Sequence, residues 1–346
     1  MKKINERVID WAINRIKTEY KDEVRLLIGA DAYRLEKDVG KVVSSFYFPA
    51  SQKANGMAKT FIIDGIGYDL FPMSWERMER IAELDEDNVP CLLDAKILYS
   101  SGEEDKKHFL ELQSRLRDNL HNPQYTLKKA LEKLNIVMEI YQTMMFEETL
   151  YKVRKAAGYI VNFLSSAIAY TNQTYFKNAY VNQISDLSAM KSIPRDFVRL
   201  YEAIVKASSS EELKKLCYDM IYNTRQYLSS KKGKGKKGKF NQNFKDLAGW
   251  YHELSYAWRE VYHWCDQDKA ARAFMRGCYL QSELDIVREE FGLSEMDLMG
   301  AFNADDMKAY RKRAETLEKQ IVSIIKEHGV TLDAYDTIDE FLKKNA

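Results

Sequence analysis

Between residues 24 and 75 the chain places the aspartates Asp38, Asp64 and Asp69 beside segments that read as strand. Asp69 stands in the apolar run Tyr68-Asp69-Leu70-Phe71. A carboxylate turned inward there needs a partner, either Lys41 or a metal ion. Asp64 precedes Gly65, which suits a hairpin turn residue as well as a ligand. Ser44-Ser45 offers two hydroxyls that either meet a phosphate or line a solvent-facing strand edge. Glu147 has Tyr151 and Arg154 at i+4 and i+7, spacing that a surface charge pair also explains.

Other chemistries find no support. Cys91, Cys217, Cys265 and Cys278 are widely spaced with no CxxC pair, and the five histidines are scattered, so no zinc spacing exists. The cysteines read as buried free thiols of a reducing compartment, which places the protein in the cytoplasm. His252 and His263 lie in an aromatic helix where packing outranks catalysis, and no serine or cysteine triad can be built. The GKGKKGK run lacks the GK[ST] ending of a phosphate-binding loop and follows a helix pattern rather than a strand.

The elements that must position these residues divide by period. Ile4, Val8, Trp11, Ala12 and Ile16 recur at helical spacing over Ile4 to Tyr20. Val24 to Ala30 reads as a strand leading into a turn at Gly29, and Lys41 to Pro49 as a second strand. Thr60–Asp64 and Tyr68–Pro72 flank Gly65-Ile66-Gly67 as a hairpin. Ser74 is placed to cap the helix that starts at Trp75. Asp94 to Tyr99 fits a helix or a short strand, and Lys106 to Leu120 an amphipathic helix. From Gln124 onward long 3.6-residue periods dominate: Tyr125–Met144, Glu147–Tyr170, a helix opened by Pro194, and one capped by the serines 208–210. Aromatic residues cover several faces of Phe244 to Cys265, as in a helix buried on more than one side. Three more helices follow.

The predicted class is therefore α+β: a small mixed N-terminal sheet with flanking helices over residues 1–122, then an α-helical bundle over 123–346, interrupted by a Lys/Gly-rich loop at 229–239. A chain of 346 residues with 45% hydrophobic and 30% charged residues has ample material for such cores. A formal net charge of +1 argues against general attraction to nucleic acid, leaving the 231–239 lysines as the one local patch for it. No apolar run reaches the roughly 18 to 20 residues that span a bilayer.

The order strand, glycine turn, acidic segment and aspartate-bearing hairpin resembles the nucleotidyltransferases of the polymerase-β type. The nearest likeness is to their small-molecule branch, the aminoglycoside and kanamycin nucleotidyltransferases. Leu26-Leu27-Ile28-Gly29-Ala30 stands where that family has its Gly-Ser turn, and Tyr68-Asp69-Leu70-Phe71 resembles the strand bearing its third aspartate. FEETLYKVRKAAGYIVNFLSSAIAYTNQTYF looks like its central helices.

The resemblance implies a Mg2+ ion held by Asp69, Asp38 and Asp64, and a nucleoside triphosphate held by Gly29, Lys41, Ser44 and Ser45. Glu147 would act as base toward a small hydroxylated acceptor. Magnesium takes hard oxygen ligands in octahedral geometry, which is why such sites gather carboxylates. The pattern is incomplete: Ala30 replaces the serine, and Gly40 and Val42 stand where the aspartate pair would fall. Two expectations follow, a nucleotidyltransferase acting on a small acceptor, or a catalytically inactive relative serving as a nucleotide-binding or protein-interaction module.

Overall fold

The computed structural model describes residues 4–32, 42–63, 65–177, 182–232 and 240–345. The chain forms two compact units, Met1–Gly233 and Lys234–Ala346.

The first unit opens with α1 (Ile4–Glu19), whose apolar stripe of Ala12 and Ile16 is buried. Strand β1 (Val24–Ala32) pairs antiparallel with β2 (Val42–Pro49). A short 3-10 helix, Gln52–Met57, follows and buries Ala54 and Met57. Then β3 (Lys59–Ile63) and β4 (Ile66–Pro72) form the expected hairpin, with Gly65 at φ +71°. That left-handed conformation costs glycine least. Helix α2 (Trp75–Ala82) begins at Ser74, whose hydroxyl accepts from the Arg77 N–H at 3.2 Å, as expected. After α3 (Val89–Leu93), residues Lys96–Ser100 form β5, which resolves the helix-or-strand alternative in favour of strand.

The five strands make one mixed sheet in the order β3-β4-β2-β1-β5. β4 runs parallel to β2 and the other neighbouring pairs are antiparallel. α1 covers one face, over Leu27, Tyr47 and Leu70. The other face packs Leu26, Ile28 and Phe48 on α2, α3 and α4 (Glu103–His121) through Met78, Ile81, Leu92 and Phe109. The α+β architecture inferred from periodicity is the one found.

Helices α5 (Pro123–Met145), α6 (Leu150–Thr171), α7 (Gln183–Ser188), α8 (Phe197–Lys206) and α9 (Ser210–Lys231) complete the unit around a shared core of Val137, Ile160, Leu164, Leu213 and Met220. The compact units do not separate at 122/123. No linker exists there: Asn122 Oδ1 accepts from the N–H groups of Gln124 and Tyr125, both at 3.1 Å, and Pro123 starts α5 at once.

The second unit packs α10 (Phe244–Asp266), α11 (Ala270–Phe291) and α12 (Met307–Glu327) around Trp258, Leu280, Tyr310 and Leu317, and ends with α13 (Ile338–Asn345). The aromatic character of α10 serves packing, as the sequence suggests. Trp258 is wholly buried, and the Tyr251 and Tyr262 hydroxyls both donate to Glu318, at 2.9 and 2.6 Å. The four thiols are unpaired. Cys217 and Cys265 are buried, Cys91 and Cys278 half-buried. Burial pushes the Cys217 thiol up to about 12 and Cys265 to about 11, so neither ionises at neutral pH. Among the described residues no helix is long and apolar enough to cross a membrane.

Candidate functional site

Strand register decides what surrounds Asp69. Ser45 pairs with Leu70 in the parallel β2–β4 contact, so Ser44 takes the position beside Asp69. Ala30 stands opposite Ser44 on β1, and Thr60 opposite Asp69 on β3. Ala30, Ser44, Asp69 and Thr60 thus form one row across four strands, and the row contains one acidic residue. Thr60 Oγ1 donates to Asp69 Oδ1 at 3.0 Å and fixes the carboxylate on the exposed part of the sheet.

The next row belongs to the opposite face. Lys96, Gly29, Ser45, Leu70 and Lys59 align there, and Ser45 is buried with Leu70 beneath α1, beside Trp11 of that helix. This corrects two expectations. Gly29 is no turn: it is paired on both sides, with Ser45 and with Lys96, and β1 continues to Ala32. A continuous β-branched and apolar partner strand overrides the local turn preference of one glycine. Ser45 is buried rather than on a solvent-facing strand edge, because adjacent residues on a strand face opposite ways and its face is the one α1 covers. Asp38, Lys41 and Asp64 lie outside the described residues. Asp31, in register with Val43 near the end of β1, is a further acidic residue that strand patterning did not single out.

Glu147 is placed elsewhere. It belongs to no helix, since α6 starts at Leu150. Its Oε1 accepts from the N–H groups of Glu148 and Thr149, at 3.1 and 2.8 Å, and Lys152 Nζ sits 3.1 Å from Oε2. The carboxylate thus holds the amides of Glu148 and of Thr149, the N-cap residue, just ahead of α6. The backbone amide of Thr149, its side chain and then Lys152 hold Glu147 down to about 2. A base that weak takes few protons from a hydroxyl.

It is also remote from the sheet. The first unit's α+β part meets the bundle through Lys129 and Lys133 on α5, while Glu147 lies past the far end of that helix. Lys133 to Met145 alone spans about 18 Å of helix rise. Because the folded carboxyl is depressed below its ordinary value near 4.5, its contribution to stability is present above that value and lost as pH falls toward 2. Glu147→Gln is expected to lower the melting temperature at neutral pH. The gap from the parent should close between pH 4.5 and 2 in thermal melts followed by circular dichroism.

The densest polar cluster was not legible in the sequence. The loop after α2, Glu83-Leu84-Asp85-Glu86-Asp87, has every carboxylate partnered. Tyr125 Oη donates to Glu83 at 2.7 Å, and Arg77 and Arg80 each reach Glu86 at 2.8 Å. Asp85 receives the buried Lys129. Asp87 receives the buried Lys133 at 2.8 Å and the Tyr170 hydroxyl at 3.1 Å. Burial first, and then Asp87, raise Tyr170 well above its ordinary value, so it stays a neutral donor. Leu84 holds φ +56° there while its side chain is buried, a conformation costing roughly 1–2 kcal/mol for a residue with a Cβ. With all its charges neutralised, this cluster positions the bundle on the sheet unit rather than presenting a site.

Among the described residues no group of three or more His, Cys, Asp or Glu side chains is arranged to hold a metal ion. Asp69 would have to recruit its co-ligands from outside them.

No family model matches the chain, and no curated protein does. Among solved structures it is similar to a nucleotidyltransferase-like protein from Exiguobacterium sibiricum 255-15. The two are 13% identical with a TM-score of 0.35, over 64% of this chain and 75% of that one.

Proposed function

We propose that this chain is a nucleotidyltransferase-like protein that works as a binding module rather than as a transferase. The observation that carries the reading is the row Ala30, Ser44, Asp69, Thr60. Where metal-assisted phosphoryl chemistry needs several carboxylates converging on two cations, that row, among the described residues, supplies one. Its Oδ1 already accepts from Thr60. The residue expected to act as base, Glu147, is engaged by the amides of Glu148 and Thr149 and by Lys152.

The reading makes a constructive prediction. Neighbouring strands lie about 4.8 Å apart, a spacing at which two carboxylates can share one cation. Ser44→Asp combined with Val42→Asp should therefore create magnesium binding detectable by calorimetry, with none expected in the parent protein. The parent should transfer no labelled nucleoside monophosphate to a panel of hydroxylated acceptors. Magnesium-dependent transfer by the parent, abolished in Asp69→Ala, would overturn the proposal in favour of a nucleotidyltransferase acting on a small acceptor.

A further inference from the structure

On the opposite face of the sheet from Asp69, α1 and the edge strand β3 leave an open groove of about 510 Å³. It is lined by Arg7, Val8 and Trp11 from α1 and by Lys59, Phe61 and Ile63 from β3. We infer that this groove binds a planar aromatic ring carrying a phosphate or carboxylate group. The inference is independent of whether the Asp69 face catalyses anything.

The lining follows from the periods of two elements. Arg7, Val8 and Trp11 share one helical face through their i, i+1 and i+4 spacing. Lys59, Phe61 and Ile63 share one face of β3 because side chains alternate along a strand. Each element thus contributes one cation above apolar surface. Trp11 and Phe61 are half-buried and meet edge to face, ring centroids 5.9 Å apart at 71°. Phe61 in turn stacks on Tyr68 at 5.6 Å. The aromatic wall is therefore fixed before any ligand arrives, so little ordering is needed on binding.

The two cations are exposed and form no ion pair among the described residues. Their neighbours behave differently: Arg15 is engaged by Glu19 at 2.9 Å and Lys53 by Glu23 at 3.4 Å. Half-buried aromatic surface flanked by uncommitted positive charge suits a flat, negatively charged molecule, and the volume lies within the usual range of small-molecule sites, roughly 300–1,000 Å³.

The experiment titrates the full chain with adenosine monophosphate and with naphthoate, using adenosine and naphthyl methanol as uncharged counterparts. Calorimetry gives affinities, and the Trp11 indole N–H resonance, assigned by Trp11→Phe, reports on the groove. The two anions distinguish a phosphate ligand from a carboxylate ligand. At least one should shift the Trp11 signal and bind more tightly than its uncharged counterpart.

The double variant Arg7→Ala/Lys59→Ala should weaken that anion by about three- to tenfold, as expected for two partly exposed charge contacts. Both residues are exposed, so the melting temperature should not change. Binding should also weaken with added salt. Equal binding of charged and uncharged probes, unchanged affinity in the double variant, or no Trp11 shift with either anion would overturn the inference.

Discussion

Asp87→Ala is expected to destabilise the first unit by about 2–3 kcal/mol, the loss of one partner from a largely buried ion pair moderated by water. Lys133 has a side chain only 7% exposed, while that of Asp87 is 35% exposed, so the stranded group is the lysine. Tyr170, almost wholly buried, loses its acceptor in the same step. Each unpartnered buried donor adds its own desolvation cost. Lys133→Met should cost less, about 1 kcal/mol, because methionine fills the stem's space beside Phe163 and leaves Asp87 able to reach water. The double variant should lie close to Asp87→Ala alone or above it in stability. Urea unfolding of the four proteins measures the coupling. Additive losses would show that Lys133 and Asp87 do not act as a pair.

Gly277→Ala should produce the largest effect in the second unit, about 2–3 kcal/mol from a single methyl group. A Cβ at this position in α11 would fall inside contact distance of Tyr310 Oη and lie 2.9 Å from Met299 Sδ. Tyr310 cannot swing away: its ring is fully buried, and Phe302 packs edge to face against it at 5.1 Å. The hydroxyl is also the donor to Met299 Sδ at 3.3 Å. The tightest approach is to the Tyr310 hydroxyl oxygen, with Met299 Sδ next, which gives the prediction a specific rescue. Tyr310→Phe alone should cost little, since the lost bond is to a weak sulfur acceptor. Gly277→Ala/Tyr310→Phe should recover more than half of the stability lost in Gly277→Ala. Thermal melts of the three variants decide it. No recovery would mean that Met299 Sδ or the Tyr310 ring, rather than the Tyr310 hydroxyl, excludes the methyl group.

These two positions also show where sequence reasoning stops. Gly277 sits in an ordinary helical pattern, and nothing local marks it as the place where Tyr310, more than 30 residues away, needs room. The lysines at 129 and 133 read as the polar face of α5. Their burial depends on the loop after α2, which no periodicity connects to them.

The sequence by itself determined the period of almost every element: the opening helix, β2, the Gly65 hairpin, the Ser74 cap and the aromatic helix α10. Those are local matters of β-branched content, turn glycines, capping hydroxyls and apolar spacing, and the α+β class follows from them. Tertiary structure alone decided the register and the neighbours. Whether Ser44 or Ser45 stands beside Asp69 turns on a single residue of strand pairing, since one step reverses every side chain across the sheet. Gly29 became mid-strand because two partner strands bonded its backbone. Glu147 came to hold amides ahead of α6 because the chain leaves helix before it, more than three turns of α5 beyond Lys133. The site's chemistry therefore rests on pairing between distant segments, which the order of residues along the chain does not specify.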